Sequence, residues 1–236
     1  MISVVIPAFN EEVLLPRCLE SLACQNTSRT FEVIVVDNNS TDTTAAVARS
    51  FFNQLNLKII PEFRLGRGAA RRAGFRAAAG DIIFSTDADT ALPPEWIETM
   101  AARLETTGRV AVAGPARIND CGPLTNFIFN CLQPFSAVGY RLIFGHYWLP
   151  GFNFAIRRNA YFAAGEFNPA MDALEDNDLS WRVQKLGKII FASRSRVTFS
   201  GRRFRHRFGR GFLEYITAFI SYYFFKQKTI VWPNVR

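Results

Sequence analysis

Residues 2–25 read ISVVIPAFNEEVLLPRCLESLACQ and contain the two patterns that decide the fold. Residues 2–6 are a near-continuous run of β-branched apolar side chains, which is typical of a strand covered on both faces. From residue 11 to residue 24 the apolar side chains return every three or four positions, as on one face of a helix. A strand followed directly by a helix is the repeating unit of α/β domains.

The same alternation continues through the first hundred residues. Further strands are predicted at residues 32–36, 57–60 and 81–85, with helices at 41–52 and 68–79 between them. This order predicts an α/β fold in which helices flank a doubly wound, mostly parallel central sheet. Ligands bind such sheets beyond the carboxyl ends of the strands, so functional residues are expected directly after each strand.

The second half of the chain has a different pattern. Residues 123–150 are rich in Phe, Tyr, Trp and Asn without clean periodicity, whereas residues 152–156 resemble a strand and residues 175–186 an amphipathic helix. The sequence contains no internal repeat or low-complexity linker. We therefore expect one domain over residues 1–200. A helical, basic and aromatic segment at residues 201–236 would pack on that domain or contact a membrane.

The formal charge of +8 is unevenly distributed along the chain. Residues 1–184 carry 16 Lys or Arg and 19 Asp or Glu, whereas residues 185–236 carry 12 and one. Proteins that bind nucleic acid neutralise phosphates with a basic surface, but most of this chain is mildly acidic. We therefore expect no nucleic-acid partner, and the basic end indicates a phosphate group or an anionic membrane surface instead.

Cysteine usage and hydropathy indicate the compartment. The four cysteines form no CxxC pair, so neither zinc nor a disulfide framework is indicated. The first residues resemble a strand rather than a signal peptide. The apolar run at residues 212–225 contains Glu214 and is shorter than the roughly 20 residues of a membrane span. These features predict a cytoplasmic protein, peripheral at the inner face of the plasma membrane if its basic end contacts lipid.

Polar residues gather after three of the predicted strands. Asn10 and Glu11 follow the first strand, Asp37 follows the second, and Asp87 and Asp89 follow the fourth. Two carboxylates one residue apart at a strand end can direct their oxygens at one hard cation such as Mg²⁺ or Mn²⁺. Each motif alone also fits a helix cap or a turn, but their coincidence at three strand ends indicates a ligand site.

Two further motifs carry charged side chains. Residues 66–74 combine glycines at a helix start with Arg71 and Arg72, which could pair with a phosphate or form a solvated basic face. Residues 175–178 hold three carboxylates at the start of a helix. They could cap the helix through its dipole, or one of them could act as a general base toward an acceptor hydroxyl.

Taken in order, these motifs resemble those of the family 2 inverting glycosyltransferases, which have the GT-A fold. The resemblance covers roughly residues 1–200. It rests on VVIPAFNE at 4–11, VVDNNSTD at 35–42, ARRAG at 70–74, DAD at 87–89 and EDNDLSWR at 175–182. The activity it implies is metal-dependent transfer of a sugar from a nucleotide-diphosphate-sugar to a carbohydrate or lipid-linked acceptor.

The resemblance also implies roles for individual residues. Asp176, with Glu175 beside it, would be the catalytic base. Asp89 and Asp87 would hold Mg²⁺ or Mn²⁺ against the diphosphate. The residues expected to bind the nucleotide sugar are Pro7, Ala8, Asn10, Glu11, Asp37, Asn39, Arg71, Asp87, Gly151, Arg202 and Arg203.

The chain departs from the family pattern at three points. Arg72 stands where many relatives have Asn, and the QxxRW motif of processive synthases is missing, so we expect transfer of single sugars. Some relatives have a metal-binding histidine after the last strand, whereas residues 197–200 have none. His146 and His206 are then the candidates for that position.

The acceptor side leaves several alternatives open. Residues 124–154 would form the acceptor wall, where aromatic side chains could stack on a sugar, receive a lipid chain or simply fill core. Residues 201–210 could clamp the diphosphate, close as a lid or contact anionic lipid. The alternative functions are transfer to a polyprenyl phosphate, which needs no base, non-catalytic nucleotide-sugar binding at a membrane, and nucleotidyl transfer.

Overall fold

The structure is a computed structural model that describes residues 1–204 of the chain. In chain order its elements are β1 (Ile2–Ala8), α1 (Leu15–Ala23), β2 (Phe31–Asp37), α2 (Thr44–Arg49), β3 (Leu57–Pro61), α3 (Arg67–Ala77), β4 (Ile82–Ser85), β5 (Thr90–Ala91), α4 (Trp96–Leu104), β6 (Arg109–Ala113), β7 (Ala116–Arg117), α5 (Pro123–Phe144), β8 (Phe154–Arg157), α6 (Arg158–Ala163), α7 (Glu175–Val183), β9 (Lys188–Phe191) and β10 (Val197–Phe199). Arg202–Phe204 then forms one turn of 3-10 helix.

Within these residues a seven-stranded sheet has the order β3-β2-β1-β4-β8-β6-β9. The strand β1 lies between β2 and β4 and is parallel to both, with Val4 opposite Val33 and Phe84. Only β8 runs against its neighbours β4 and β6. A smaller sheet of order β5-β10-β7 lies beside it. The expected α/β fold with a mostly parallel central sheet is thereby confirmed.

Helices cover both faces of the central sheet. Alternate residues of β1 point to opposite sides, so that Val4 packs with α1 and α4, whereas Val5 packs with α3, α6 and α7. On the second side the rings of Phe75, Tyr161 and Phe167 are mutually in contact. Burial of both faces explains why the strands are almost continuously apolar in sequence.

Two predicted helices begin later than their patterns indicated. The helix expected from residue 11 begins at Leu15, and the one expected from residue 41 begins at Thr44. The residues before each helix instead form hydrogen bonds between the loop after β1 and the loop after β2. The Glu11 N–H donates to Thr44 Oγ1 at 2.8 Å, and the Thr43 N–H donates to Glu12 Oε2 at 2.9 Å. These cross-bonds pair backbone N–H groups of each loop with a side chain of the other and hold the two loops against each other outside the helices.

The helix α5 was missed by the sequence analysis, which found no periodicity in residues 123–150. It extends over 22 residues and contains Pro134. Its polar side chains point toward the protein, where Asn130 bonds both backbone groups of Ile118, at 2.9 Å each. Apolar side chains occupy the opposite side, but Ala137 and Tyr140 are buried on the inward side as well, so α5 has no single apolar stripe of the kind that marks an amphipathic helix.

The expected helical segment at residues 201–236 is described only as far as Phe204, and residues 205–236, with His206, lie outside the described residues. Gly201 is held by Asp120, which accepts its N–H at 2.7 Å. None of the helices within residues 1–204 combines the length and apolarity needed to cross a bilayer.

Close packing of α3 on the sheet depends on Gly74, since a Cβ there would overlap the side chains of Val5 and Val36. We expect Gly74→Ala to lower the free energy of unfolding by about 1–3 kcal/mol through overpacking. Gly139, also within a helix, has open space around its Cβ position. Gly139→Ala is therefore expected to raise that free energy by about 0.4–1 kcal/mol. Urea unfolding of both variants measures the difference, and equal effects would contradict the packing argument.

Candidate active site

The loops after β1 and β2 are joined at the carboxyl edge of the sheet. The Asn10 N–H donates to Ser40 Oγ at 3.0 Å, and the Thr41 N–H donates to Asn10 Oδ1 at 2.8 Å. Asn10 and Asn39 both have left-handed backbone conformations, with φ of 52° and 65°. Asparagine tolerates this conformation better than most residues. The two loops thus form one rigid rim.

The predicted nucleotide-binding residues of β1 and β2 lie side by side. Pro7 and Ala8 are the last residues of β1, and Ala8 is paired in register with Asp37. Asp37 Oδ1 accepts the Ser40 N–H at 3.0 Å. The Asn39 amide donates to the backbone carbonyls that follow β3, at 2.9 Å for Phe63. Asn39 thereby anchors a neighbouring loop to the rim.

The Asp87-Ala88-Asp89 motif forms a tight turn after β4. The Thr90 N–H donates to the Asp87 carbonyl at 3.1 Å, and Ala88 is buried. The two carboxylates have different partners. Asp87 Oδ1 accepts from Arg71 Nη2 at 2.6 Å, and Asp89 Oδ2 accepts from Arg202 Nη2 at 3.2 Å. Each carboxylate of the motif is therefore compensated by its own arginine.

Arg71 is the most deeply placed cation of the site, with a side chain only 3% exposed. Its guanidinium forms ion pairs with Asp87 and with Glu175, whose side chain is 4% exposed. Among the described residues its Nε has no hydrogen-bond partner. Gly151 lies against the guanidinium, and a Cβ at that position would overlap it. The glycine therefore makes room for the buried arginine.

The three carboxylates that begin α7 have three different surroundings. Glu175 pairs with Arg71, and Asp178 accepts from Arg182 at 2.6 Å. Asp176, which is partly exposed, accepts the Gly151 N–H on Oδ2 at 2.9 Å and the Asn177 N–H on Oδ1 at 2.8 Å. The three carboxylates thus have different main partners, and the cluster is not a set of equivalent caps.

The electrostatics of this cluster follow from burial. Burial raises the pKa of Asp176 above the usual range for an aspartate, Arg71 opposes the rise, and the nearby charge of Asp87 adds to it. Burial likewise raises the pKa of Glu175, with Arg71 opposing it. The guanidinium of Arg71 therefore interacts with three carboxylates, Asp87 after β4 and Glu175 and Asp176 at the start of α7.

Arg202 approaches the site from the turn after β10. Its guanidinium donates to both oxygens of Glu11, at 2.5 and 3.1 Å, and also reaches Asp89. Burial and the charge of Asp87 raise the pKa of Asp89, whereas Arg202 lowers it. Arg203 lies on the same turn and is half-buried. Arg202 is thus brought to the rim, where it bridges two of the predicted site carboxylates.

The oxygen donors at Asp87 and Asp89 fit a magnesium or manganese ion. Magnesium in nucleotide enzymes is commonly held by one or two carboxylates together with substrate phosphates. The Arg202 guanidinium lies between Glu11 and Asp89, so carboxylates from two loops already surround one positive charge here. Within residues 1–204 no three His, Cys, Asp or Glu side chains form a ligand group, so His146 does not join the two aspartates.

Two positioning residues were not found by the sequence analysis. Asn153 is fully buried and accepts from Trp96 Nε1 at 2.8 Å while its amide donates to the carbonyls of Pro115 and Ser195. Asp120 holds Ser200 and Gly201 just before Arg202. Most of their partners lie 38 to 81 residues away in the chain, so no local pattern could have revealed them.

A mostly parallel sheet with carboxylates and arginines over its strand ends is the architecture of GT-A glycosyltransferases. Residues 3–164 match the model of glycosyl transferase family 2, and the chain belongs to this family. The expected family is thereby confirmed.

Individual relatives cover different parts of the chain. The probable glycosyltransferase YdaM of Bacillus subtilis is 29% identical over 98% of this chain and 60% of its own length. The undecaprenyl-phosphate 4-deoxy-4-formamido-L-arabinose transferase of Pseudomonas paraeruginosa is 34% identical over 44% of this chain and 32% of its own. The chain thus spans less than two thirds of either relative.

A solved structure has the same fold. The mannosyltransferase PcManGT from Pyrobaculum calidifontis, in complex with GDP-Man and Mn²⁺, matches with a TM-score of 0.70 at 22% identity. The match covers 91% of this chain and 61% of the solved one.

The buried position of Arg71 leads to a stability prediction. Arg71→Met leaves Glu175 buried without its cation, and we expect the free energy of unfolding to fall by about 3–5 kcal/mol. The matched control is Arg72→Met, since Arg72 is one-third exposed and its partner Glu166 keeps Arg76 at 2.7 Å. Its effect is expected to stay below about 1 kcal/mol. Urea unfolding checks both, and similar losses would contradict the ion-pair argument.

Proposed function

We propose that the chain is a metal-dependent inverting glycosyltransferase that moves a single sugar from a nucleotide-diphosphate-sugar to an acceptor hydroxyl. The observation that carries this proposal is the arrangement around Arg71. This one buried guanidinium contacts Asp87, in the candidate metal turn, and Glu175, the neighbour of the candidate base Asp176. The groups needed at the leaving diphosphate and at the acceptor therefore converge on one place.

The donor would lie over the carboxyl ends of β1, β2 and β4. In this proposal Asp37, with Pro7 and Ala8 beside it, faces the nucleoside, and Asn10 and Glu11 lie between it and the diphosphate. Asp87 and Asp89 would hold Mg²⁺ or Mn²⁺, which when bound supplies positive charge opposite the leaving diphosphate. The solved mannosyltransferase of the same fold carries GDP-Man and Mn²⁺, which supports this class of donor and ion.

Arg202 and Arg203 would provide further positive charge for the diphosphate. Arg202 is more than a quarter exposed and bonds two carboxylates, so its guanidinium can exchange an interaction with Glu11 or Asp89 for one with a phosphate oxygen. Arginine suits this exchange because its planar donors match carboxylate and phosphate equally well. The backbone of Gly151, next to Arg71 and Asp176, would lie close to the sugar.

The transfer step would be a single displacement. A lone pair of the acceptor oxygen forms the new bond to the anomeric carbon, while the bond from that carbon to the diphosphate oxygen breaks and its electron pair leaves with the diphosphate. The acceptor proton passes to Asp176, whose raised pKa favours accepting it. Attack opposite the leaving group inverts the anomeric configuration.

A polyprenyl phosphate is the second candidate acceptor. One relative is named for transfer to undecaprenyl phosphate, and the exposed apolar side of α5 offers a surface for a lipid chain. A phosphate oxygen is already ionised, so this acceptor would not need Asp176 as a base.

Donor binding tests the proposal directly. In a thermal-shift screen of UDP-, GDP-, ADP- and dTDP-sugars with Mn²⁺, at least one donor should raise the melting temperature. A ligand at one hundred times its Kd stabilises by about 2.7 kcal/mol. Asp89→Asn should remove the manganese-dependent part of that shift. The control Asp81→Asn, whose side chain is 90% exposed at the other end of the sheet, should retain it. A screen without any shift would refute the proposal, and an unchanged shift in Asp89→Asn would refute the metal assignment.

The base role predicts a separation of transfer from binding. Asp176→Asn removes the proton acceptor, and a general base contributes about 10²–10⁴ to the rate, so we expect kcat to fall by at least about 100-fold with donor Kd nearly unchanged. Asp178→Asn is the control, because Asp178 is paired with Arg182, and its kcat should stay close to that of the wild type. Equal loss of binding and transfer in Asp176→Asn would reject the base role, and full activity on a polyprenyl phosphate would favour the second acceptor.

A further inference from the structure

Three amide side chains of α5 point toward the protein. Asn126 accepts the Cys121 N–H at 3.2 Å, and Asn130 bonds both the N–H and the carbonyl of Ile118. Gln133 accepts the Ala116 N–H at 3.1 Å and is buried. Hydrogen bonds to the segment of residues 116–121 therefore fix which side of α5 faces inward.

The opposite side of α5 is apolar and exposed. At 100° per residue, six of the side chains on this side lie within an arc of about 80° around the helix axis. They define the outer face of α5: Leu124, Phe127, Cys131, Phe135, Val138 and Leu142. Phe127, Phe135 and Leu142 are 67%, 72% and 81% exposed. Of the thirteen large apolar side chains exposed in residues 1–204, seven belong to α5. A patch this concentrated marks an interaction surface rather than scattered surface apolarity.

The charge around α5 indicates the kind of partner. The helix contains no acidic residue, and its one charged residue, Arg141, is exposed in the last turn. The described chain ends at Phe204, whose ring lies 5.3 Å from that of Phe129 in α5. The 32 residues that follow contain six Lys or Arg and one Glu. In sequence, a strongly basic segment therefore follows directly after a turn that contacts α5.

We propose that the outer face of α5 docks on a phospholipid bilayer containing anionic lipid. Apolar side chains enter the boundary between headgroups and acyl chains, and Lys and Arg of the same protein, beginning with Arg141, attract anionic headgroups. Protein interfaces carry about one hydrogen bond per 100–200 Å², whereas the six side chains of the outer face offer only the thiol of Cys131 as a hydrogen-bonding group. This proposal is independent of the proposed function, because lipid binding requires no sugar donor.

Vesicle binding by the full chain tests this surface. Sedimentation with vesicles of phosphatidylcholine and phosphatidylglycerol in a 70:30 ratio should bind the wild type, and pure phosphatidylcholine should bind it more weakly. The triple variant Phe127→Ser/Phe135→Ser/Leu142→Ser should bind the mixed vesicles at least about tenfold more weakly. The matched control Phe52→Ser/Phe63→Ser/Leu65→Ser removes three other exposed side chains and should bind as the wild type does.

Melting temperature and sedimentation velocity, measured on the same variants, show whether another part of the chain or a second copy covers the outer face of α5. Because the three α5 side chains face solvent, the triple variant should keep its melting temperature and its oligomeric state. A clearly lower melting temperature would mean that the chain itself, through residues 212–225, covers the face. Dissociation of an oligomer would assign the face to a second copy. Either result, or unchanged vesicle binding, would overturn the proposal.

Two exposed cysteines give an independent readout. Cys131 lies on the outer face, and Cys24 lies at the end of α1. An environment-sensitive fluorophore on Cys131, in a Cys24→Ser chain, should shift to the blue when mixed vesicles are added. The same fluorophore on Cys24, in a Cys131→Ser chain, should not shift. No shift at Cys131, or equal shifts at both positions, would overturn the assignment of this face.

Discussion

The candidate site is organised around one buried positive charge. Arg71 has almost no contact with solvent, and its guanidinium is held by carboxylates from the end of β4 and the start of α7. A buried charge without a partner costs several kcal/mol, so the positions of these elements are mutually dependent. The same constraint explains Gly151, because the loop before β8 can approach the guanidinium only without a side chain. A buried cation thus fixes the distance between the aspartate turn and the acidic start of α7.

Much of the fold could be predicted because its determinants are local. The strands β1, β2 and β4 are apolar runs covered on both faces, and the residues that follow them reach one edge of the sheet by geometry alone. Asp87, Asp89 and Asp176 were identified through motifs that resemble those of a known family, and the structure brings the aspartate turn and the acidic cluster together. Local patterns also located α3 and α7 to within a few residues.

The remaining features depend on contacts between distant parts of the chain. The late starts of α1 and α2 result from bonds between two loops about 30 residues apart. The pairing of Arg202 with Glu11 joins residues 191 positions apart, and nothing near either residue indicates it. The helix α5 was missed for a different reason. Apolar residues lie on both its buried and its exposed side, so no apolar stripe marks the face that packs on the protein.

The antiparallel strand β8 has a consequence for how this scaffold can vary. Because β6 ends and β8 begins at the same edge of the sheet, residues 114–153 leave that edge and return to it. Insertions or deletions within this excursion leave the register of every strand in the large sheet unchanged. The excursion carries α5, and near its end Gly151 lies against Arg71 and donates its N–H to Asp176. The part of the excursion around α5 can therefore change in length without moving β1, β2 or β4, whereas Gly151 and Asn153 near its end are held by Arg71 and by the core.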